Sequence, residues 1–265
     1  MSVRRILVVG YPKSGNTWLT RLTAELLVAP VTGFWNEPSA VEIAVEGALR
    51  HSTFQVYKGH QRLADVRTDF DLKDIVYVVR DVRDVVVSGA HYFSFRSRTM
   101  AGRVRRAARW LWPPSPEAET ARRIDRMLST AAAGNRATSP WCATAWDSHV
   151  ADYLDAGAFV VRYEDMLHTP EAECCRLLQH LGAHSSPERI RAAIARQAFA
   201  NAKTRFTTSG DSRRAAFLRQ GSSGGWINAL TPEQSTFCAE RFAPMLARLG
   251  YIDTPALARR VARTR

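Results

Sequence analysis

The chain is predicted to be a single α/β domain, a central parallel β-sheet flanked by helices. Two observations predict it. An aliphatic run near the N-terminus enters a glycine-bearing turn and leaves it with helical periodicity, and the same strand-then-helix order recurs twice further on. Repeated strand-then-helix units need crossover connections, which give parallel strands covered by helices.

The first unit is "RRILVVGYPKSGNTWLTRLTAELL" at 4–27. Ile6 to Val9 form a compact strand, Gly10 to Gly15 a turn, and Trp18, Leu19, Leu22, Leu26 and Leu27 recur at helical spacing. The second is "IVYVV" at 75–79 followed by "RDVRDVVVSGAHYF", in which Val82, Val85, Val86 and Gly89 share one helical face. The third reads as a strand, "AFVVRYEDM" at 158–166, then a helix, "TPEAECCRLLQHLG". Thr169 is its expected N-cap, Pro170 its first residue and Gly182 its stop. Between the second and third units, six arginines (96, 98, 103, 105, 106 and 109) precede "WLWPPSPEAET", whose prolines break regular structure. We expect residues 93–140 to cover a site, with a solvated helix and loop as the plainer alternative. The basic tail at 254–265 is expected to fray.

Composition narrows the function classes. The 265 residues carry a net charge of +12, so the surface should draw anions: nucleic acid, acidic membrane or a polyanionic small molecule. Cys142, Cys174, Cys175 and Cys238 lack disulfide-framework or metal-ligand spacing, which suits helix packing in a reducing cytoplasm. The apolar run that stops at Gly10 is far too short for a signal-peptide core or a membrane span. A cytoplasmic location is therefore expected.

"VVGYPKSGNTWL" at 8–19 keeps the Gly, four residues, Gly spacing of a phosphate-binding loop, with Gly10, Gly15 and Thr17 in place. Asn16 occupies the lysine position, and Lys13 is the only lysine in the loop. A strand feeding such a loop into a helix surrounds an anion with backbone N–H groups and the positive helix end, so residues 10–18 read as an anion cradle in a P-loop-like core. The second strand ends in Arg80 where a magnesium-binding carboxylate is expected, with Asp81 behind it. An arginine there argues for a second phosphate and against a metal.

"YPKSGNTW" followed by "VVRDVRDVVVSGAHYF" resembles the two nucleotide-binding motifs of the sulfotransferase family. These enzymes move a sulfuryl group from 3′-phosphoadenosine 5′-phosphosulfate (PAPS) to an acceptor hydroxyl or amine, leaving 3′-phosphoadenosine 5′-phosphate (PAP). "YKGHQ" at 57–61 is similar to the family segment with the catalytic base, and "RQGSSGGW" at 219–226 to its C-terminal Arg-Lys-Gly-x-x-Gly-Asp-Trp segment. The four matches run in family order from residue 7 to about 231, and the Ala- and Arg-rich composition suggests a bacterial member.

The resemblance assigns roles. Lys13, Ser14, Gly15, Asn16 and Thr17 would hold the 5′-phosphosulfate, Lys13 lying by the bridging oxygen, and Trp18 would stack on the adenine. Arg80 and Ser88, with Arg219 and the backbone near Gly221, would grip the 3′-phosphate; arginine suits this because its planar fork makes two parallel bonds to phosphate oxygens. Tyr163 and Phe199 would flank the adenine. His60 would be the general base: a free imidazole, with a pKa of about 6.5, is largely neutral at pH 7 and able to accept a proton. No metal is required.

Gly225 and Gln220 depart from the family Asp and Lys, so one cationic contact to the 3′-phosphate is in doubt; Arg213, Arg214 or Arg219 could replace it. The animal-type dimer motif should fall at 227–236, but "INALTPEQST" has Ile227, Pro232 and Thr236 at its key places. "TPEQ" there reads as a capping box of Thr231 and Gln234, so a homo-oligomer would need another route. "YFSF" at 92–95 and Trp110, Trp112, Trp141 and Trp146 are candidate walls for a phenol, natural-product or lipid-like alcohol. Two other readings remain, a P-loop small-molecule kinase using ATP and magnesium, and a basic nucleic-acid-binding protein. Asn16 and Arg80 speak against the first, and only charge supports the second.

Overall fold

The structure, a computed structural model, describes residues 3–37, 43, 45–95, 114–198, 201, 204 and 221–252. They group into two compact units, Met1–Arg80 with His149–Ser223, and Asp81–Ser148 with Gly224–Arg265.

The first unit holds a five-stranded parallel sheet in the order β2-β3-β1-β4-β5: β1 (Arg4–Val9), β2 (Val31–Phe34), β3 (Phe54–Gly59), β4 (Ile75–Val79) and β5 (Phe159–Arg162). The expected α/β class is thus what the chain forms. Ile6 to Val9 and all of β4 are buried, as continuous apolar runs in a sheet covered on both faces must be. Registers pair Val9 with Gly59 of β3 and Tyr77 of β4, and Val79 with Arg162 of β5. The carboxyl ends of four neighbouring strands therefore lie side by side.

Helix α1 (Asn16–Leu26) follows β1 and buries Leu19, Leu22 and Leu26. β2 and β3 carry weaker patterns: Gly33 sits beside a register shift, and "FQVYKG" mixes polar and apolar residues. Short helix α2 (Leu63–Val66) follows β3. The third unit departs from expectation. The strand stops at Arg162 instead of running to Met166, and helix α6 (Tyr163–His168) takes over. Glu164 and Asp165 in its first turn favour the positive helix end, which strand pairing would forgo. Helix α7 (Pro170–Leu181) starts and ends where predicted, with Gly182 left-handed at its end. The Thr169 hydroxyl, however, donates back to the Asp165 carbonyl instead of capping α7. Helix α8 (Pro187–Gln197) completes this unit.

In the second unit α3 (Val82–Tyr92) packs on α4 (Pro116–Ala133), and α9 (Pro232–Arg241) and α10 (Ala243–Arg248) follow. The capping box is present: the Thr231 hydroxyl accepts from the Gln234 N–H, and the Gln234 side chain accepts from the Thr231 N–H. Helix α5 (Trp146–Asp155) contributes Trp146 to this unit; fully buried, edge-on to Phe242, it is core packing instead of a pocket wall. Cys142, Cys174 and Cys238 are buried, and Cys175 is exposed on α7. The six arginines at 96–109, Trp110, Trp112 and the 254–265 tail lie outside the described residues. No helix among the described residues is long and apolar enough to cross a membrane.

Candidate active site

Parallel strands deliver whatever follows their carboxyl ends to one edge of the sheet. Here β1 delivers the loop of residues 10–15, β3 delivers His60, β4 Arg80 and β5 Tyr163. Four segments far apart in sequence converge because the strands are adjacent and in register.

The loop leaves β1 against β4. A Cβ at Gly10 would stand 2.2 Å from the Val78 carbonyl oxygen, so only glycine allows this approach. Lys13 has a φ of 74°, in the left-handed region, at a cost on the order of 1 kcal/mol of backbone strain. Gly15, at φ 102°, occupies the N-cap of α1 and lies flat against Tyr163, with 2.6 Å from its ideal Cβ to the ring. No side chain caps α1 and its first turn has no acidic residue, which leaves the helix end suited to an anion. The Ser14 and Thr17 hydroxyls are buried and have no hydrogen-bond partner among the described residues. Both are donors that phosphate oxygens would satisfy.

Asn16 is buried and spends its amide on the neighbouring strand ends, donating to the Gly10 carbonyl at 2.9 Å and the Gly59 carbonyl at 3.1 Å. His60, also buried, places Nδ1 2.7 Å from the same Gly10 carbonyl. A carbonyl oxygen only accepts, so Nδ1 carries a proton. Asn16 Nδ2 lies 3.2 Å from Nδ1, with both its hydrogens already given to carbonyls. The residue in the P-loop lysine position thus packs on the imidazole and ties it to the loop.

Trp18 and Tyr163 meet edge-to-face at 5.5 Å, and the Trp18 Nε1–H donates to the Gln197 carbonyl at 3.0 Å. Arg80 lies over the Tyr163 ring at 4.5 Å and donates to the Ser222 carbonyl at 2.9 Å, beside Gly221, whose φ is 62°. The predicted adenine and 3′-phosphate residues of this unit are therefore neighbours. Ser88 is half-buried on α3 of the second unit. Phe199 and Arg219 lie outside the described residues, as do Arg213, Arg214 and Gln220.

Two further buried side chains receive no role of their own from the sequence, the lysine of the Lys-x-His segment and an aspartate on α3. Lys58 is buried near the end of β3, two residues before His60, with its ammonium 5.4 Å from the Phe34 ring. A lysine at that spacing from the histidine was the available signal. Asp84, buried on α3, accepts from the Gly224 N–H at 2.7 Å and the Trp226 N–H at 3.1 Å, anchoring the C-terminal glycine segment. Asp81 caps α3 through the Arg83 N–H and pairs with the Arg83 guanidinium, which stacks on Trp226 at 3.9 Å. That carboxylate is engaged in fold contacts instead of facing a metal. Among the described residues no group of three or more His, Cys, Asp or Glu side chains could hold a metal ion.

A family model described as "Sulfotransferase domain" matches residues 3–250. Bovine sulfotransferase 1A1 is 24% identical over 91% of this chain and 83% of its own length, and mouse sulfotransferase 1 family member D1 is 23% identical over 86% and 79%. Among solved structures, mouse sulfotransferase SULT7A1 complexed with PAP superposes with a TM-score of 0.63 at 18% identity, covering 93% of this chain and 86% of that one. Retinol dehydratase in complex with androsterone and inactive cofactor PAP gives 0.59 at 18% identity, with 93% and 81% covered. These two likenesses are of fold.

Proposed function

The chain belongs to the sulfotransferase domain family, enzymes that take a sulfuryl group from PAPS and release PAP, and on that premise we propose that it sulfates a hydroxyl of a small or lipophilic acceptor with His60 as general base. The observation that supports the reading is His60 Nδ1 lying 2.7 Å from the Gly10 carbonyl, which ties the imidazole to the phosphate-binding loop; in a neutral ring held this way Nε2 would be the basic nitrogen.

The residues present fit the nucleotide: two buried hydroxyls without partners, an uncapped helix start and an aromatic pair beside an arginine. When bound, PAPS supplies the sulfuryl group and a phosphate leaving group. Ser14 and Thr17 donate to its phosphosulfate oxygens, and Trp18 and Tyr163 offer apolar faces to the base. Arg80 reads the 3′-phosphate with Ser88, Arg219 and the backbone at Gly221, and Phe199 completes the adenine site. His60 Nε2 takes the acceptor hydroxyl proton as that oxygen attacks sulfur. Lys13 would offset the charge that develops on the phosphate leaving group; such charge exists only near the transition state, so a cation there would accelerate transfer. Base catalysis of this kind contributes roughly 10²- to 10⁴-fold. This chemistry needs no metal, and the engagement of Asp81 with Arg83 disfavours the kinase alternative. A phenol or lipid-like alcohol is the expected acceptor, and the protein is read as cytoplasmic.

The test is calorimetric titration of PAP into metal-free protein, with AMP and ATP plus magnesium as controls, followed by transfer from PAPS to a panel of phenols and lipid alcohols. PAP binding that AMP does not match, and product sulfate ester, are expected. Preference for ATP with magnesium would transfer the reading to a kinase.

A further inference from the structure

Behind His60, a buried polar network occupies the sheet where apolar packing would suffice. His149 Nε2 lies 3.1 Å from the His60 carbonyl oxygen, and its Nδ1 lies 2.9 Å from the Tyr77 hydroxyl. The carbonyl can only accept, so Nε2 holds the proton, Nδ1 is the acceptor, and Tyr77 donates to it. The Tyr11 ring, from the phosphate-binding loop, meets the His149 ring edge-on at 5.7 Å. Burial holds His149 neutral at physiological pH, with its pKa lowered to about 4, so its one donor and one acceptor are both used.

The same residues fix both backbone groups of His60. Gln61 Oε1 accepts from the His60 N–H at 2.9 Å, and Gln61 Nε2 donates to the Trp35 carbonyl at 2.8 Å. Tyr153 stacks on Tyr77 at 4.4 Å and donates its hydroxyl to the Gln61 carbonyl at 2.9 Å. A continuous hydrogen-bonded path thus runs from Tyr77 through His149 to the His60 carbonyl. Such a network rigidifies only when every member is satisfied, and here each hydrogen bond leads toward the backbone of one residue.

We infer that His149, aided by Tyr77, is a positioning residue for His60: by gripping its carbonyl it orients the imidazole so that Nδ1–H stays on Gly10 and Nε2 remains the basic atom. The inference rests on reading His60 as the base, but its first test does not. Proton–nitrogen correlation spectra of the histidine rings should find His60 as the single Nδ1–H tautomer in the wild type. His149→Leu, which removes both bonds, should give a mixture, and His149→Gln, which keeps a donor and an acceptor, should restore the single form. Tyr77→Phe, which keeps the packing, should weaken the preference. For transfer from PAPS to 2-naphthol, kcat should fall in His149→Leu by up to roughly 10²-fold, as small misplacements of reacting groups do, with PAP binding unchanged. An unaltered His60 tautomer in all three variants, or equal loss of PAP binding and kcat in His149→Leu, would overturn the assignment. Full kcat in His60→Ala with the tautomer response intact would instead remove the base reading while leaving the positioning demonstrated.

Discussion

Asn16 stands where a nucleotide-hydrolysing loop has its lysine, and its amide bridges the ends of β1 and β3 beside the His60 ring. Lysine there would offer a strongly hydrated point charge instead of a flat amide, so the substitution changes the chemistry of the loop. The division of labour at single residues is testable. His60→Ala should lower kcat by about 10²- to 10⁴-fold and leave PAP binding intact, whereas Arg80→Ala should weaken PAP binding and raise the KM for PAPS. Equal loss of binding in both variants would remove the distinction. His149 makes a second prediction. Its pKa is lowered from the usual histidine value to about 4 by burial, so between pH 6.5 and 4 the unfolded chain binds the extra proton and the native chain does not. Stability therefore falls as pH drops through that window, by up to about 3 kcal/mol from this group. Denaturant melts of His149→Gln should show a shallower acid slope than the wild type; an unchanged slope would assign the loss to other groups. His180, pulled down chiefly by burial, adds in the same direction.

At the scale of elements, caps and charges near helix ends decided what hydrophobic pattern left open. The Thr231–Gln234 capping box was legible in "TPEQ" because both partners are local in sequence. Thr231→Ala should cost about 1 kcal/mol, measured by chemical denaturation, and Thr231→Ser should recover most of it. The change from strand to helix at Tyr163 was less legible. "AFVVRYEDM" begins as a strand, and its acidic residues become helix-starting signals only once β5 ends beside Val79 of β4. β2 and β3 escaped notice for a related reason: short, mixed-polarity strands are held by their neighbours in the sheet more than by their own pattern.

At the scale of the whole molecule, the net charge of +12 favours a polyanionic ligand over a neutral one. PAP at 100 times its dissociation constant should stabilise the chain by about 2.7 kcal/mol and raise the melting temperature by several degrees, with or without EDTA. Sodium chloride should weaken that effect by screening. Stabilisation that needs magnesium, or that AMP reproduces, would contradict the reading.

The sequence by itself determined the α/β class, the glycine-bearing loop and the strand-end arginine. Each is encoded in a stretch short enough for covalent geometry and local periodicity to govern it. Only the tertiary structure decided which nitrogen of His60 carries the proton, that Asn16 packs on that ring, that Tyr163 lies on Gly15, and that His149 reaches the His60 carbonyl from 89 residues away. These depend on parallel strands placed side by side in one register. Hydrogen-bond geometry between residues distant in sequence exists only after the sheet has brought their ends together.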